Sequence, residues 1–162
     1  MIVALRQPND NDIEWITRAC QDPEIQRWTT VPRPYLRSHA EEFIVEAQSQ
    51  TGHFAIVDSE THLGVGMIGI HGIDQATGEA NAGYWIAPWA RRQGAATQAL
   101  AQLTEHAKTL DGAKSLTLKI SPANFASRGT AAKNGFVVIR TEIQTCHDGD
   151  TSTDALIYSL TL

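Results

Sequence analysis

Arg91-Arg92-Gln93-Gly94-Ala95-Ala96-Thr97 is the stretch of this chain best suited to hold an anion. An apolar run, Ala82-Gly83-Tyr84-Trp85-Ile86-Ala87, precedes it, and an alanine-rich segment follows to about residue 108. Strand, short loop, then helix is the order that turns consecutive backbone N–H groups toward a phosphate at a helix N-terminus. Gly94, Ala95 and Ala96 are small enough to let a bulky anion reach the main chain, and Arg91 and Arg92 add positive charge beside it. No P-loop lysine follows, which disfavours a nucleoside triphosphate with magnesium. Taken alone, the loop has a lesser alternative reading as a tight strand-to-helix turn that binds nothing.

A second stretch, Asn124-Phe125-Ala126-Ser127 followed by Ala131-Ala132-Lys133-Asn134-Gly135-Phe136, lies one strand further along. Ser115-Leu116-Thr117-Leu118-Lys119-Ile120 alternates as a half-buried strand that Pro122 stops. Asn124 then stands where a helix begins, and Gly135 where a left-handed cap would end it. Read locally, Asn124 is only an N-cap and Ser127 a solvated first-turn serine.

Together the two stretches resemble the GNAT superfamily of acetyltransferases. Arg91-x-x-Gly94-x-Ala96 after a strand is similar to that family's coenzyme A pyrophosphate loop. Asn124-x-x-Ser127 with Gly135-Phe136 resembles the signature of the branch that includes the ribosomal-protein N-terminal-amine acetyltransferases. The resemblance implies an acyltransferase that moves an acetyl group from acetyl-CoA to a primary amine, on a protein N-terminus or a small molecule, by direct attack in a ternary complex. It also leaves room for a homodimer. The alternative is a non-catalytic acyl-CoA-binding module that kept the fold.

On the same resemblance, acetyl-CoA lies between the strand ending at Ala87 and the strand ending at Ile120, which splay apart at a bulge. Backbone groups around Ile86 and Ala87 pair with the pantetheine arm, and the amides of Gln93, Gly94, Ala95, Ala96 and Thr97 hold the pyrophosphate beside Arg91 and Arg92. Asn124 binds the pantetheine arm. Many relatives donate a proton to the leaving thiolate from a tyrosine at the position of Ala131, and here Ser127 is the substitute. The usual glutamate base falls at Asn81, which accepts no proton usefully. Glu79, two residues earlier on the same strand face, could act through a water or be a solvated charge. A water chain near Asn81 and Ser121 is a further route. Trp28, Pro32, Tyr35 and Tyr84 fall where the family builds its acceptor pocket, although Trp28 suits core packing equally well.

Positioning these residues is the task of the rest of the chain. The 162 residues are 42% hydrophobic with a net charge of −5, which suits one soluble domain, read as a single N-acetyltransferase domain over residues 1–162. The negative charge argues against nucleic acid and mildly favours a cationic acceptor. No apolar run of membrane-spanning length occurs, and the start is too short for a signal-peptide core. Two cysteines, Cys20 and Cys146, form no disulfide framework, which fits a reducing cytoplasm. The six histidines show no paired-ligand spacing, so they read as surface or loop residues and no metal is expected. Gly64-Val65-Gly66-Met67-Ile68-Gly69 matches GxGxxG, but the turn residues after it exclude the helix that a dinucleotide site requires.

Periodicity predicts a strand at residues 3–6, a helix over 10–20, and a loop over 27–37 ending near an N-cap at Ser38. It predicts a helix over 39–50, then strands at 53–57, 63–70 and 80–87 joined by short turns. A helix over 93–108 follows, burying Ala96, Ala99, Leu100, Leu103 and Ala107. Strand 115–120, helix 124–134, strand 136–143, a polar loop over 146–153 and a last strand over 155–162 complete the set. The order is an α+β layout, GNAT-like, with a mixed, mostly antiparallel sheet of about six to seven strands and helices on both faces.

Overall fold

The alternating apolar runs form seven strands: β1 (Val3–Arg6), β2 (His53–Asp58), β3 (Gly64–Ile73), β4 (Glu79–Ile86), β5 (Ser115–Ile120), β6 (Val137–Asp148) and β7 (Thr151–Thr161). A computed structural model describes residues 1–50 and 52–162. The strands join in one sheet in the order β1-β2-β3-β4-β5-β7-β6. Every neighbouring pair is antiparallel except β4 and β5, which run parallel. Five helices cover the sheet: α1 (Ile13–Ala19), α2 (Pro23–Trp28), α3 (Arg37–Ser49), α4 (Ala95–Ala107) and α5 (Phe125–Lys133).

Two cores, one on each side of the sheet, follow from the period-two alternation of its strands. On one side Ile16, Tyr35 and Ile44 pack with Ala55, Val57 and Met67. On the other, Leu100 and Leu103 of α4 and Ala131 of α5 pack with Ile56, Ile68, Leu116 and Leu118. Alternation along β4 therefore sends Ala80, Ala82, Tyr84 and Ile86 toward α4 and α5, and Trp85 toward α1 and α3. None of the described helices is long and apolar enough to cross a membrane.

Four expectations from the sequence change. The expected loop over 27–37 begins two residues late, because Pro23–Trp28 form α2; Asp22 caps it, accepting from the Ile25 N–H at 3.1 Å, with Pro23 in its first turn. Helix α3 starts at Arg37, so Ser38 lies inside the first turn and caps nothing; the Leu36 N–H goes instead to His39 Nδ1 at 2.9 Å. Residues 146–153 are not a polar loop but the end of a long hairpin, with Gly149 at φ +63° in its turn. Its strands look loop-like in sequence because β6 is a solvent-facing edge and has little apolar alternation. In α4, Ala95 rather than Ala96 is fully buried, since Ala96 looks into the cleft described below.

The GxGxxG glycines lie inside β3, with no helix opening there. A Cβ on Gly64 would run into the Trp15 ring, and one on Gly66 into the Trp85 carbonyl. They let neighbours close in on the strand rather than approach a phosphate.

Candidate active site

Strands β4 and β5 pair only from Glu79↔Ser115 to Ala82↔Leu118, and then part. β4 stays paired with β3 as far as Ile86. The Ala87 N–H donates to the Val65 carbonyl at 2.8 Å, so by the alternation of an antiparallel ladder the backbone groups of Tyr84 and Ile86 turn away from β3, into the gap. The expected splay is present, but the register irregularity sits in β3, between Ile70 and Gly72 at His71, not in either parting strand. The gap opens into a cleft of about 1200 Å³. Gly94, Ala96, Thr97, Asn124 and Ser127 line it toward α4 and α5, and Trp28, Tyr35 and Asn81 line it elsewhere.

The loop at one end of the cleft is built from backbone. Arg92 at φ +60° and Gly94 at φ +80° are both left-handed, a geometry that gathers successive N–H groups into a concavity. No side chain caps α4 at Gly94. The first helical bond runs from the Gln98 N–H to the Gly94 carbonyl at 3.1 Å, so the amides of Ala95, Ala96 and Thr97 precede the ladder and have no intrahelical acceptor. A negative group placed there would also gain roughly 0.3–1 kcal/mol from the helix dipole.

The two arginines of this loop divide their tasks. Arg92 is exposed at the cleft and forms no ion pair among the described residues. Arg91 is bound to Asp22, the residue that caps α2. Burial would raise the Asp22 carboxyl, but hydrogen bonds from Arg91 and the Ile25 amide outweigh it and hold the group below its ordinary value. Arg91 thus ties the loop to α2. Gln93 and Ala87 are not on the cleft wall: Gln93 is exposed with its amide on the Trp89 carbonyl at 3.2 Å, and Ala87 is fully buried.

At the other side of the gap, Asn124 Oδ1 accepts from the Ser127 N–H at 3.1 Å, so it is the cap of α5 as well as part of the cleft. The Tyr84 hydroxyl meets Ser127 Oγ at 3.2 Å. Burial pushes the Tyr84 phenol above its ordinary value, so it stays protonated through neutral pH. Tyr84 was expected among the acceptor residues, but its face of β4 is the one that meets α4 and α5, away from Trp28 and Tyr35. Ala131, the position of the absent tyrosine, is completely buried, and a phenol reaches Ser127 from β4 instead.

Glu79 stands apart from the cleft. Its carboxylate makes two 2.8 Å hydrogen bonds with the Arg140 guanidinium of β6, and it does not line the cleft. The Arg140 hydrogen bonds lower its pKa. A carboxylate held this way has its oxygens occupied and its proton affinity reduced, the opposite of what a base requires. Glu79 shares a face of β4 with Asn81, as strand alternation requires, but Arg140 reaches it from β6, in another part of the chain.

The remaining cleft wall is made of side chains from distant elements. Trp28 donates from Nε1 to Glu24 at 3.1 Å, beneath the Arg27 guanidinium at 4.2 Å from the ring centre. Tyr35 is almost buried, and burial together with the neighbouring Cys20 raises its phenol pKa. Burial likewise raises the Cys20 thiol to about 12. The tip of the β6–β7 hairpin closes over this side: Arg27 pairs with Asp148 at 2.6 Å, the Gly149 N–H donates to the Arg27 carbonyl at 2.8 Å, and Arg33 meets Asp150 at 3.2 Å. His53 and His71 are among the wall residues not expected from the sequence. Their only signal is that each stands beside a strand glycine in the neighbouring strand, which becomes visible once the register is known.

A half-open mixed sheet with an uncapped helix at the mouth of its gap defines an acyl-coenzyme-binding architecture, and the comparisons agree. The chain belongs to the GNAT acetyltransferase domain family, whose model matches residues 3–137, and it is an acyltransferase of the N-acetyltransferase type. No curated protein matches the sequence. Among solved structures, Mycobacterium smegmatis RimJ in complex with CoA-disulfide is 22% identical, with 98% of this chain and 81% of that chain covered and a TM-score of 0.83. Vibrio cholerae spermidine N-acetyltransferase in complex with CoA and spermine is 15% identical, with 98% and 95% covered and a TM-score of 0.83. The microcin C7 self-immunity acetyltransferase MccE, in complex with acetyl-CoA and AMP, is 21% identical, with 99% and 92% covered and a TM-score of 0.80. These likenesses establish the shared fold.

Proposed function

We propose that this chain acetylates a primary amine with acetyl-CoA, by direct attack of the amine while donor and acceptor occupy one cleft. The observation that carries the reading is the gap between β4 and β5 running to the uncapped N-terminus of α4. When bound, acetyl-CoA supplies an acyl carbon activated as a thioester. The amides of Ala95, Ala96 and Thr97, with Arg92, would hold its pyrophosphate, and the backbone of Tyr84 and Ile86 would hold the pantetheine arm as a missing strand would be held. The Asn124 amide would add a donor to that arm.

Holding both reactants together supplies up to roughly 7–11 kcal/mol of the barrier through orientation alone, so a covalent enzyme intermediate is unnecessary. Ser127 and the Tyr84 phenol joined to it would steady the departing thiolate and return a proton. Trp28, Tyr35 and Asn81 would face the acceptor. The acceptor is a small-molecule or peptide amine; Glu24, Glu42 and Glu46 on the same wall suit a cation. A homodimer would have the apolar row Val137, Ile139 and Ile143 of the edge strand β6 to bury. The two free thiols, Cys20 and Cys146, accord with work in the reducing cytoplasm.

Calorimetry with CoA, followed by thiol release across a panel of primary amines, tests the reading. Absence of CoA binding at millimolar ligand would overturn it. Binding without thiol release from any amine between pH 7 and pH 9 would return the chain to a coenzyme-binding module.

A further inference from the structure

With Glu79 bound to Arg140, the base that an ammonium substrate requires at neutral pH has to come from the cleft wall itself. Four imidazoles line the cleft, His39, His53, His71 and His147, and two of them, His53 of β2 and His71 of β3, lie with ring centres 5.6 Å apart. Two glycines clear the sheet for them. Gly69 stands opposite both His53 and Gly83 in the strand register, so two glycines of β3 and β4 lie side by side next to His53. A Cβ on Gly69 would come within 2.6 Å of His53 Cδ2, and a Cβ on Gly83 within 2.7 Å of His71 Nε2. His71 is the extra residue of β3 at its register shift, and that shift swings its ring over β4. Gly83 follows Ala82, the last β4 residue paired with β5, so His71 Nε2 sits over the point where the gap opens.

Resting on the amine-acetylating reading above, we infer that His71 is the catalytic base that takes the proton from the acceptor ammonium, with His53 as the neighbour that positions it. Among the described residues, neither ring nitrogen of His71 makes a hydrogen bond, and His53 Nδ1 is buried without a partner. In the step, one N–H proton of the ammonium passes to His71 Nε2 and frees the nitrogen lone pair. That pair forms the C–N bond to the acyl carbon as the C–S bond breaks and its electrons leave with sulfur. The second proton, shed as the amide forms, goes to the sulfur by way of the Tyr84 and Ser127 hydroxyls. His71 then returns its proton to water. Amine, thioester and protons balance with no further reactant.

Electrostatics keep the base free. Burial lowers the pKa of both imidazoles, and His53 is lowered further by His71 and raised somewhat by Glu46. Among the polar and charged groups of the same cleft are Asn81 of β4, Glu24, Glu42 and Glu46, His39 and His147, and Lys119 of β5, which is paired with Glu142 at 3.0 Å. A histidine below its ordinary value is neutral at pH 7 and ready to accept a proton, and its charged form, once made, disfavours a second charge on His53.

The test is the pH profile of His71→Gln against the unaltered chain, using the primary amine of highest turnover in the panel. The expected result is a loss of kcat of roughly a hundredfold at pH 7, within the range of general-base contributions, with CoA affinity and the acetyl-CoA KM unchanged. The loss should shrink as pH rises and free amine accumulates. In the unaltered chain without coenzyme, the NMR titration of the imidazole signal that His71→Gln removes should fall below the ordinary histidine value and match the acid limb of kcat/KM. A His71→Gln chain with normal kcat at pH 7, or a His71 titration displaced from the kinetic limb, would overturn the assignment. His71→Asn serves if the glutamine variant does not fold, and the titration stands without either. If the unaltered chain binds CoA but releases no thiol with any amine, the proposed activity falls and this assignment falls with it.

Discussion

The two sides of the cleft are built in opposite ways. The coenzyme side is backbone drawn from two short contiguous stretches: the left-handed residues Arg92 and Gly94 running into α4, and the Asn124 cap of α5. The acceptor side is side chains brought together from α2, β2, β3, β4 and the β6–β7 hairpin. Backbone recognition of a phosphate needs small residues and a helix start, and little else is free to vary. Side-chain recognition of an amine accepts many solutions. The half that would hold the coenzyme is therefore tightly constrained by backbone geometry, and the half that would face the amine is not.

The largest effect should come from attacking the backbone half. Gly94→Glu puts a carboxylate where the pyrophosphate belongs and a Cβ on a residue at φ +80°. CoA affinity, measured by calorimetry, should fall at least about a hundredfold, or ~2.7 kcal/mol, against a folding cost of about 1–2 kcal/mol from the left-handed backbone. Unchanged affinity would mean that the loop is only a turn.

Next comes the hydroxyl pair where the halves meet. Ser127→Ala and Tyr84→Phe should each lower kcat by about ten- to a hundredfold without moving the acetyl-CoA KM. The double variant should be little worse than either, because the two hydroxyls act through one hydrogen bond. Fully multiplicative losses would show that they work separately.

Trp28→Ala attacks the side-chain half. It should raise the KM for the amine by roughly three- to tenfold, the worth of one partly exposed aromatic contact, and leave CoA binding alone. A change in CoA affinity instead would move Trp28 to the other side of the comparison.

The smallest effect belongs to Glu79→Gln. Thiol release at pH 7 should keep its normal kcat, and stability should change by no more than about 1 kcal/mol, as for a pair near the surface. The sign with pH is fixed by the direction of the shift. A carboxylate lowered by Arg140 adds stability above its unfolded pKa and loses it as pH falls through the folded value. The difference between Glu79→Gln and the unaltered chain in urea should therefore vanish in acid. A large loss of kcat would restore Glu79 to the reaction.

What could be read from the sequence follows the same division. The α4 loop, the strand 115–120 and the Asn124 and Gly135 caps are local signals, set by residue type within one turn, and they stand where periodicity and capping rules put them. The first turn of α2 was equally local, in Asp22-Pro23, but lay hidden beside the prolines that follow it. The Arg140 that binds Glu79, the glycine pair beside His53 and His71, and the hairpin over Arg27 are set by strand register across the sheet. Register is a long-range property of packing, and a one-residue shift would exchange every face. Tyr84 illustrates the point: its place in the strand was clear, but the face it presents depends on which helices pack where.

The hairpin tip has one more consequence. Its hold on α2 and the loop after it combines Arg27 with Asp148 and Arg33 with Asp150, pairs partly open to water, with the Gly149 N–H bond to the Arg27 carbonyl. The two ion pairs weaken as ionic strength rises, since the Debye length shrinks from about 10 Å at 0.1 M to about 3 Å at 1 M. The coenzyme side is joined to α2 through Arg91 and Asp22, which are more enclosed. Added salt should therefore loosen one lip of the cleft before the other, making ionic strength a means of varying how tightly the amine is enclosed while the rest of the fold stays in place.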